Sequence, residues 1–251
     1  MTRRLSLLAA AAVIATLLMG GVLASVGRHA AQAAESQALA PVPTMDEPLA
    51  KLPGSETAIL SGGCFWGMQL VFQHVKGVRQ VVSGYTGGAA GTAHYEEVGT
   101  GTTGHAESIR IVFDPHVISY GALLRIYFSV ATDPTELDYQ GPDQGPQYRG
   151  EIWAVNSTQR RIAEAYLRQL RADHTYSAPI VTRIESARPF YEAEPYHQNF
   201  ATLHQDNPYI VAFDAPKLTA LARRFPGFYV ARPMLVAAST TMLDGQKGTS
   251  R

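Results

Sequence analysis

One cysteine stands among 251 residues, so no disulfide can close within the chain and no zinc site can be assembled from several thiolates. Net charge is missing as well. The 21 Lys and Arg balance 21 Asp and Glu, with no basic cluster, which removes the counterion-release basis for a nucleic-acid partner. A phosphate-loop Gly-Lys-Ser/Thr triplet is absent. Gly99-Thr100-Gly101-Thr102-Thr103-Gly104 matches the dinucleotide fingerprint by letter, but that fingerprint must follow a strand and open a helix. Here it precedes a strand, so no nicotinamide or flavin cofactor is expected. His74, His94, His105, His116, His197 and His204 never combine with acidic partners at metal-ligand spacing on one helix, and each reads as a packed or surface histidine rather than a ligand. No metal is expected. What remains is the composition of an ordinary globular protein, 46% hydrophobic, with room for one domain or at most two.

The ends differ from the middle. Arg3 and Arg4 precede an uncharged run from Leu5 to Gly27, which with the Ala31-Gln32-Ala33 step reads as an export signal over residues 1–33. The run is also long enough to cross a bilayer, so an uncleaved anchor is the alternative and the only basis for a membrane association. Either reading puts the folded part outside the cytoplasm, in the periplasm or cell envelope. Residues 34–56 carry Pro41, Pro43, Pro48 and Pro53 without helical or strand period and read as a linker. The stretch 231–251 loses periodicity and reads as a flexible tail. One domain over 57–230 is left.

Within it, Thr57 to Leu60 reads as a strand, and Phe65, Met68, Val71, Phe72 and Val75 recur at helical spacing, which puts Cys64 in a first helical turn. Gly77 stops that helix. Val78 to Tyr85 reads as a strand, and so does the alternation Glu107, Ile109, Ile111, Phe113. Ser119 and Asn156 to Thr158 are candidate caps of two further helices, and Ile152 to Val155 and Ile180 to Ile184 are further strands. Strands alternate with helices, which predicts an α/β domain with a mixed sheet.

Two residues break this pattern. A buried free cysteine is usually inert, but a helix N-terminus offers unpaired N–H groups and a positive dipole end that favour thiolate over thiol. Gly62, Gly63 and Gly67 would let backbone and ligand approach the sulfur. Trp66 lies off the buried stripe that Phe65 joins, and can wall a pocket. Glu107 shares the parity of Ile109, Ile111 and Phe113, so its carboxyl should face the apolar side of the sheet. Desolvation there raises its pKa and leaves a carboxylic acid able to donate a proton near neutral pH. The plainer alternative is a strand-end Glu that reaches solvent.

The elements Gly63-Cys64-Phe65-Trp66-Gly67, Gly84-Tyr85-Thr86-Gly87-Gly88, Tyr95, Gly104-His105-Ala106-Glu107, Asp143 with Gln147-Tyr148-Arg149, and Tyr196-His197-Gln198 resemble, in order and spacing, the A-type peptide methionine sulfoxide reductases. The resemblance covers roughly 57–230. It implies a two-layer α/β sandwich with a ferredoxin-like core and reduction of the S epimer of methionine sulfoxide, free or in oxidised proteins, by a protein-repair enzyme. It also implies roles. Cys64 is the nucleophile that becomes a sulfenic acid and Glu107 the acid on the sulfoxide oxygen. Tyr95 and Tyr148 hydrogen-bond that oxygen, Phe65 and Trp66 enclose the ε-methyl group, and Asp143 is a further polar site residue. No bound cofactor is implied.

The chain departs from many members in recycling. They carry resolving cysteines, commonly near the C-terminus, whereas residues 232–251 have none and Gly99 stands where some relatives have cysteine. An external thiol is therefore expected to reduce Cys64 directly: a thioredoxin-like protein, glutathione with glutaredoxin, or a membrane-fed relay. A monomer is expected. Two other functions compete: a thiol peroxidase or redox sensor using Cys64, and a non-catalytic exported binding domain with an inert thiol.

Overall fold

The computed structural model describes residues 38–237, so the expected signal or anchor over 1–33 and the end of the tail lie outside the described residues. The chain runs β1 (Glu56–Ser61), α1 (Phe65–Gln73), β2 (Val78–Thr86), α2 (Tyr95–Val98), β3 (Ala106–Phe113) and α3 (Tyr120–Ile126). It continues through the two-residue strands β4 (Tyr139–Gln140) and β5 (Asp143–Gln144), β6 (Glu151–Ala154), α4 (Ser157–Ala172), β7 (Arg183–Ser186), β8 (Phe190–Glu192), α5 (Phe200–Leu203) and α6 (Ala215–Arg224). Six strands form one sheet in the order β7-β6-β1-β3-β2-β8. Only β6 and β7 pair in parallel; β1, β2, β3, β6 and β8 otherwise pair antiparallel. The sheet is mixed, as the alternation of elements requires.

The period of two along each strand sorts side chains between the faces. Ala58, Leu60, Ile109, Ile111, Phe113 and Ile152 join Phe72, Leu124, Phe128, Ile162 and Tyr166 in one core beneath the helices. Ile59, Ala106 and Trp153 form a small cluster on the opposite face, with Phe190 against it and Arg110 over the Phe190 ring. One face is covered by helices and the other by side chains, which makes a two-layer sandwich. The predicted caps are present: Ser119 accepts from the Ala122 N–H and Asn156 from the Gln159 N–H, satisfying orphan donors at the starts of α3 and α4. Gly77, at φ +92°, turns the chain after α1.

The linker reading fails from residue 38 onward. Ala40 is fully buried and its N–H donates to Ser129 Oγ, while the Tyr166 hydroxyl donates to the Pro41 carbonyl. Asp46 accepts from the Ser119 hydroxyl and the Gly121 N–H. The segment is a strap held by backbone and single side-chain bonds, which need no hydrophobic period. Part of the expected tail is held in the same way. The Met234 N–H donates to the Gln73 carbonyl and the Val236 N–H to Asn199 Oδ1. The strand expected from Ile180 begins pairing only at Arg183. Edge strand β8 is too short to show a period.

β8 leads into the segment that walls the site, and Gly84 sets how closely it approaches β2. A Cβ at Gly84 would overlap the Tyr191 carbonyl oxygen and the Phe190 ring. Gly84→Ala is expected to push β8 outward and lower stability by roughly 1–3 kcal/mol, as overpacking does; urea denaturation of the variant beside wild type checks this.

Candidate active site

Cys64 is the N-cap of α1, one residue outside the first turn expected of it. The chain reaches it through Gly63 at φ +93°, a left-handed backbone that favours glycine. The neighbouring glycines admit protein atoms rather than a ligand. A Cβ at Gly62 would crowd Thr132, one at Gly63 would crowd Gln140, and one at Gly67 would overlap Asp214. Cys64 itself is half-buried as a residue, and its thiol lies in poorly hydrated surroundings.

Glu107 enters from the end of β3, paired opposite Tyr85. Its side chain is buried on the face expected from its parity, and Oε2 accepts the Phe65 N–H at 3.0 Å. The strand carboxyl is thereby bonded to the residue that follows Cys64. Burial pushes the Glu107 pKa up to about 8; the Phe65 N–H works against this and Asp143 adds to it. Near neutral pH the group is a carboxylic acid.

The expected thiolate is corrected. Burial first, then the charges of Glu107, Asp214 and Asp143, push the Cys64 thiol well above its ordinary value, and the Trp66 N–H offsets this only in part. A helix end contributes about half an elementary charge, whereas the buried Asp214 carboxylate, ionised at neutral pH, brings a whole one, and Glu107 adds its own above about pH 8. The resting sulfur is a thiol.

The two aromatic residues after Cys64 diverge. Phe65 is buried against Tyr85 and His197, with ring centroids 5.8 and 5.1 Å away. Trp66 stacks on Phe200 at 3.9 Å, meets Tyr209 edge-on at 6.0 Å and donates from Nε1 to His197 Nδ1 at 3.1 Å. That bond assigns the His197 proton to Nε2. Burial also lowers the His197 pKa, against the pull of Glu194. The Tyr95 ring lies 4.4 Å from His197, and its N–H donates to Glu194, which also receives the Tyr85 hydroxyl. Tyr95 and Tyr148 both have raised pKa values, from burial first and then from Glu107, with Cys64 contributing to each. Both hydroxyls therefore keep their protons and can donate. Asp143 accepts the Tyr209 hydroxyl at 2.5 Å, and burial raises its pKa.

Cys64, Glu107, Tyr95, Tyr148 and Asp143 thus share one electrostatic neighbourhood, bordered by Phe65 and Trp66. Among the described residues no His, Cys, Asp and Glu side chains gather to hold a metal ion. Sequence reasoning missed His197 as a wall residue, because a lone histidine without period reads as packing. It also missed Glu194, Tyr209, Asp214 and Lys217. Asp214-Ala215-Pro216 has the look of a helix start, and nothing local to it points toward Cys64.

A family profile described as "Peptide methionine sulfoxide reductase" matches residues 56–226. The chain belongs to the peptide methionine sulfoxide reductase family. A reductase described as "Peptide methionine sulfoxide reductase MsrA 2" from Mesorhizobium japonicum is 57% identical over 196 residues, covering 78% of this chain and all of that protein. One of the same description from Synechocystis is 45% identical over 172 residues, covering 68% of this chain and 80% of the relative. Among solved structures, methionine sulfoxide reductase A of Corynebacterium diphtheriae is similar at TM-score 0.51 and 31% identity, covering 69% of this chain and 90% of that one. Reduced Mxr1 of Saccharomyces cerevisiae is similar at TM-score 0.53 and 27% identity, covering 64% and 93%. This member of the family is an oxidoreductase that works without a bound cofactor and takes its reducing power from thiols.

Because its folded-state pKa is raised to about 8, Glu107 weakens the fold as pH climbs from its unfolded value toward 8, where the native site holds a proton the unfolded chain has lost. Glu107→Gln removes this penalty. Its stability relative to wild type is expected to grow between pH 5 and pH 8, by on the order of a few kcal/mol, as read from urea midpoints at both pH values.

Proposed function

We propose that Cys64 attacks the sulfur of the S epimer of methionine sulfoxide while Glu107 protonates the departing oxygen, assisted by the Tyr95 and Tyr148 hydroxyls. The observation that carries this reading is the buried Glu107 acid, bonded to the N–H of the residue next to Cys64. A sulfoxide sulfur is a poor electrophile until its oxygen is protonated or strongly hydrogen-bonded, so acid and donors belong on the oxygen side and the thiol on the sulfur side. As the S–S bond forms, the thiol proton and the Glu107 proton both go to the sulfoxide oxygen, the S–O bond breaks and water leaves, with Glu107 left as a carboxylate. Water then attacks the Cys64 sulfur and gives its proton back to Glu107; the S–S bond breaks, methionine leaves and Cys64 becomes a sulfenic acid. Phe65 and Trp66 hold the ε-methyl group, where sulfur and aromatic faces attract by about 0.3–1.5 kcal/mol. The His197 bond and Phe200 stack that fix the Trp66 indole support this assignment.

Recycling takes two equivalents of external thiol. The first displaces water from the sulfenic acid and leaves a mixed disulfide, and the second releases Cys64 with formation of the reductant's disulfide. With no second cysteine in the chain, a thioredoxin-like protein or glutathione with glutaredoxin is the reading for the donor. Oxidised proteins are the proposed substrates beside free methionine sulfoxide, supported by the exposed Tyr196 beside His197 at the mouth. The uncharged N-terminal run supports action outside the cytoplasm. The peroxidase or sensor reading loses weight, because peroxide reacts with thiolate and the Cys64 pKa is pushed up.

With dithiothreitol as reductant, consumption of the S epimer and not the R epimer is expected. Cys64→Ser should abolish it. Glu107→Gln should slow turnover by about 10²–10⁴, the general-acid range. Wild-type turnover should fall as pH rises through about 8, since the protonated acid is the active form. Intact mass after one turnover without reductant should show one added oxygen on Cys64, and a loss of two hydrogens would contradict the proposed recycling.

A further inference from the structure

One buried group plays no part in this chemistry. Asp214 is fully buried at the start of α6, a position where aspartate normally caps the helix. It does not do so here. Neither carboxyl oxygen accepts a hydrogen bond, although a buried charge ordinarily collects several. Its ion-pair partner is Lys217, with Nζ 3.6 Å from Oδ1. The carboxyl is turned instead against Gly67, where any Cβ would overlap Oδ1 and lie 3.1 Å from Lys217 Nζ. Gly67 is three residues beyond Cys64, hence on the same side of α1. A carboxylate has therefore been admitted, with little solvation, to the turn that carries the nucleophile.

We propose that the buried Asp214–Lys217 pair, seated against the first turn of α1 through Gly67, holds Cys64 as a thiol until substrate arrives. This rests on the reading of Cys64 as the nucleophile and adds a positioning residue that acts through it. The groups facing the sulfur are the carboxyls of Glu107, Asp143 and Asp214 and the hydroxyls of Tyr95, Tyr148 and Tyr209. Glu107 acts on the sulfoxide in the reaction proposed above. Asp214, fully buried against Gly67, has no role in that chemistry and opposes the thiolate whether or not sulfoxide is bound. Lys217 is shared, since it also faces Asp143 and Glu136, so it neutralises Asp214 only in part. Burial raises the Asp214 pKa to about 6, which leaves it charged at neutral pH.

The arrangement suits an enzyme with one cysteine. A free thiolate takes an oxygen from peroxide, releasing hydroxide, and the sulfenic acid so formed takes a second to become an irreversible sulfinic acid. No internal thiol is present to intercept the first product. A thiol that ionises only against bound sulfoxide avoids that loss.

The test compares wild type with Asp214→Asn and Asp214→Leu in the absence of substrate. Iodoacetamide alkylation of Cys64 is followed against pH, together with inactivation by hydrogen peroxide. Both substitutions delete a desolvated charge and leave Lys217, which is partly exposed, free to turn to water, so both variants should fold. Each should shift the alkylation profile to lower pH and raise the rate at pH 7.5 by roughly tenfold, the equivalent of one pKa unit, with faster loss to peroxide. Alkylation profiles unmoved in both variants would overturn the proposal, and a lowered melting temperature with unmoved profiles would assign Asp214 a structural role only. Wild-type turnover of sulfoxide, measured alongside, tests the underlying reading separately: its absence would sink the nucleophile assignment whatever the variants do.

Discussion

The site depends on one hydrogen bond, from the Phe65 N–H to the Glu107 carboxyl. It joins the end of a central strand to the beginning of a helix and so fixes the acid relative to the nucleophile without relying on a mobile loop. Backbone N–H groups at a helix start have no partner of their own. One is spent on the acid, through Phe65, and the next faces the sulfur, through Trp66. The two reacting groups are thus held by successive amides of a single turn.

Such closeness between acid and thiol raises the energy of either charged form, and the surroundings add to this. Asp143 and Asp214 stand nearby with Lys217 as their shared counterion. The site therefore rests in its neutral form, with proton on oxygen and proton on sulfur, which suits a reaction that consumes a proton at one end and releases one at the other. Its outer wall is aromatic. Trp66, Phe200 and Tyr209 hold one another by stacking and edge contacts, and His197 ties the indole to the segment that follows β8. A polar interior facing a rigid apolar rim separates the chemistry of the sulfoxide oxygen from recognition of the methyl group.

The sheet strands, their mixed arrangement and the two capped helices were legible because each repeats its period over several residues. Glu107 was legible for the same reason: its parity with Ile109, Ile111 and Phe113 committed its side chain to the covered face. The charge state of Cys64 was not. The helix start is a local signal and predicts a low pKa, whereas Asp143 and Asp214 oppose it from segments about 80 and 150 residues away, and only the fold brings them close. The strap over residues 38–55 has no periodic signature, because it docks through Ala40, Pro41 and Asp46 singly rather than through a repeating face. His197 and Tyr209 carry no pattern at all apart from their family motif or neighbours. The glycines around Cys64 do mark close approach, but the approaching atoms belong to Thr132, Gln140 and Asp214.

Glu107 keeps its proton at neutral pH because the fold buries it beside Cys64. Infrared difference spectroscopy between wild type and Glu107→Gln isolates this one carboxyl among the 21 acidic side chains of the chain. A protonated carboxyl band present at pH 7 and lost as pH passes about 8 is the expected result. A carboxylate band already complete at pH 5 would contradict the account, because no acid would then stand ready for the sulfoxide oxygen.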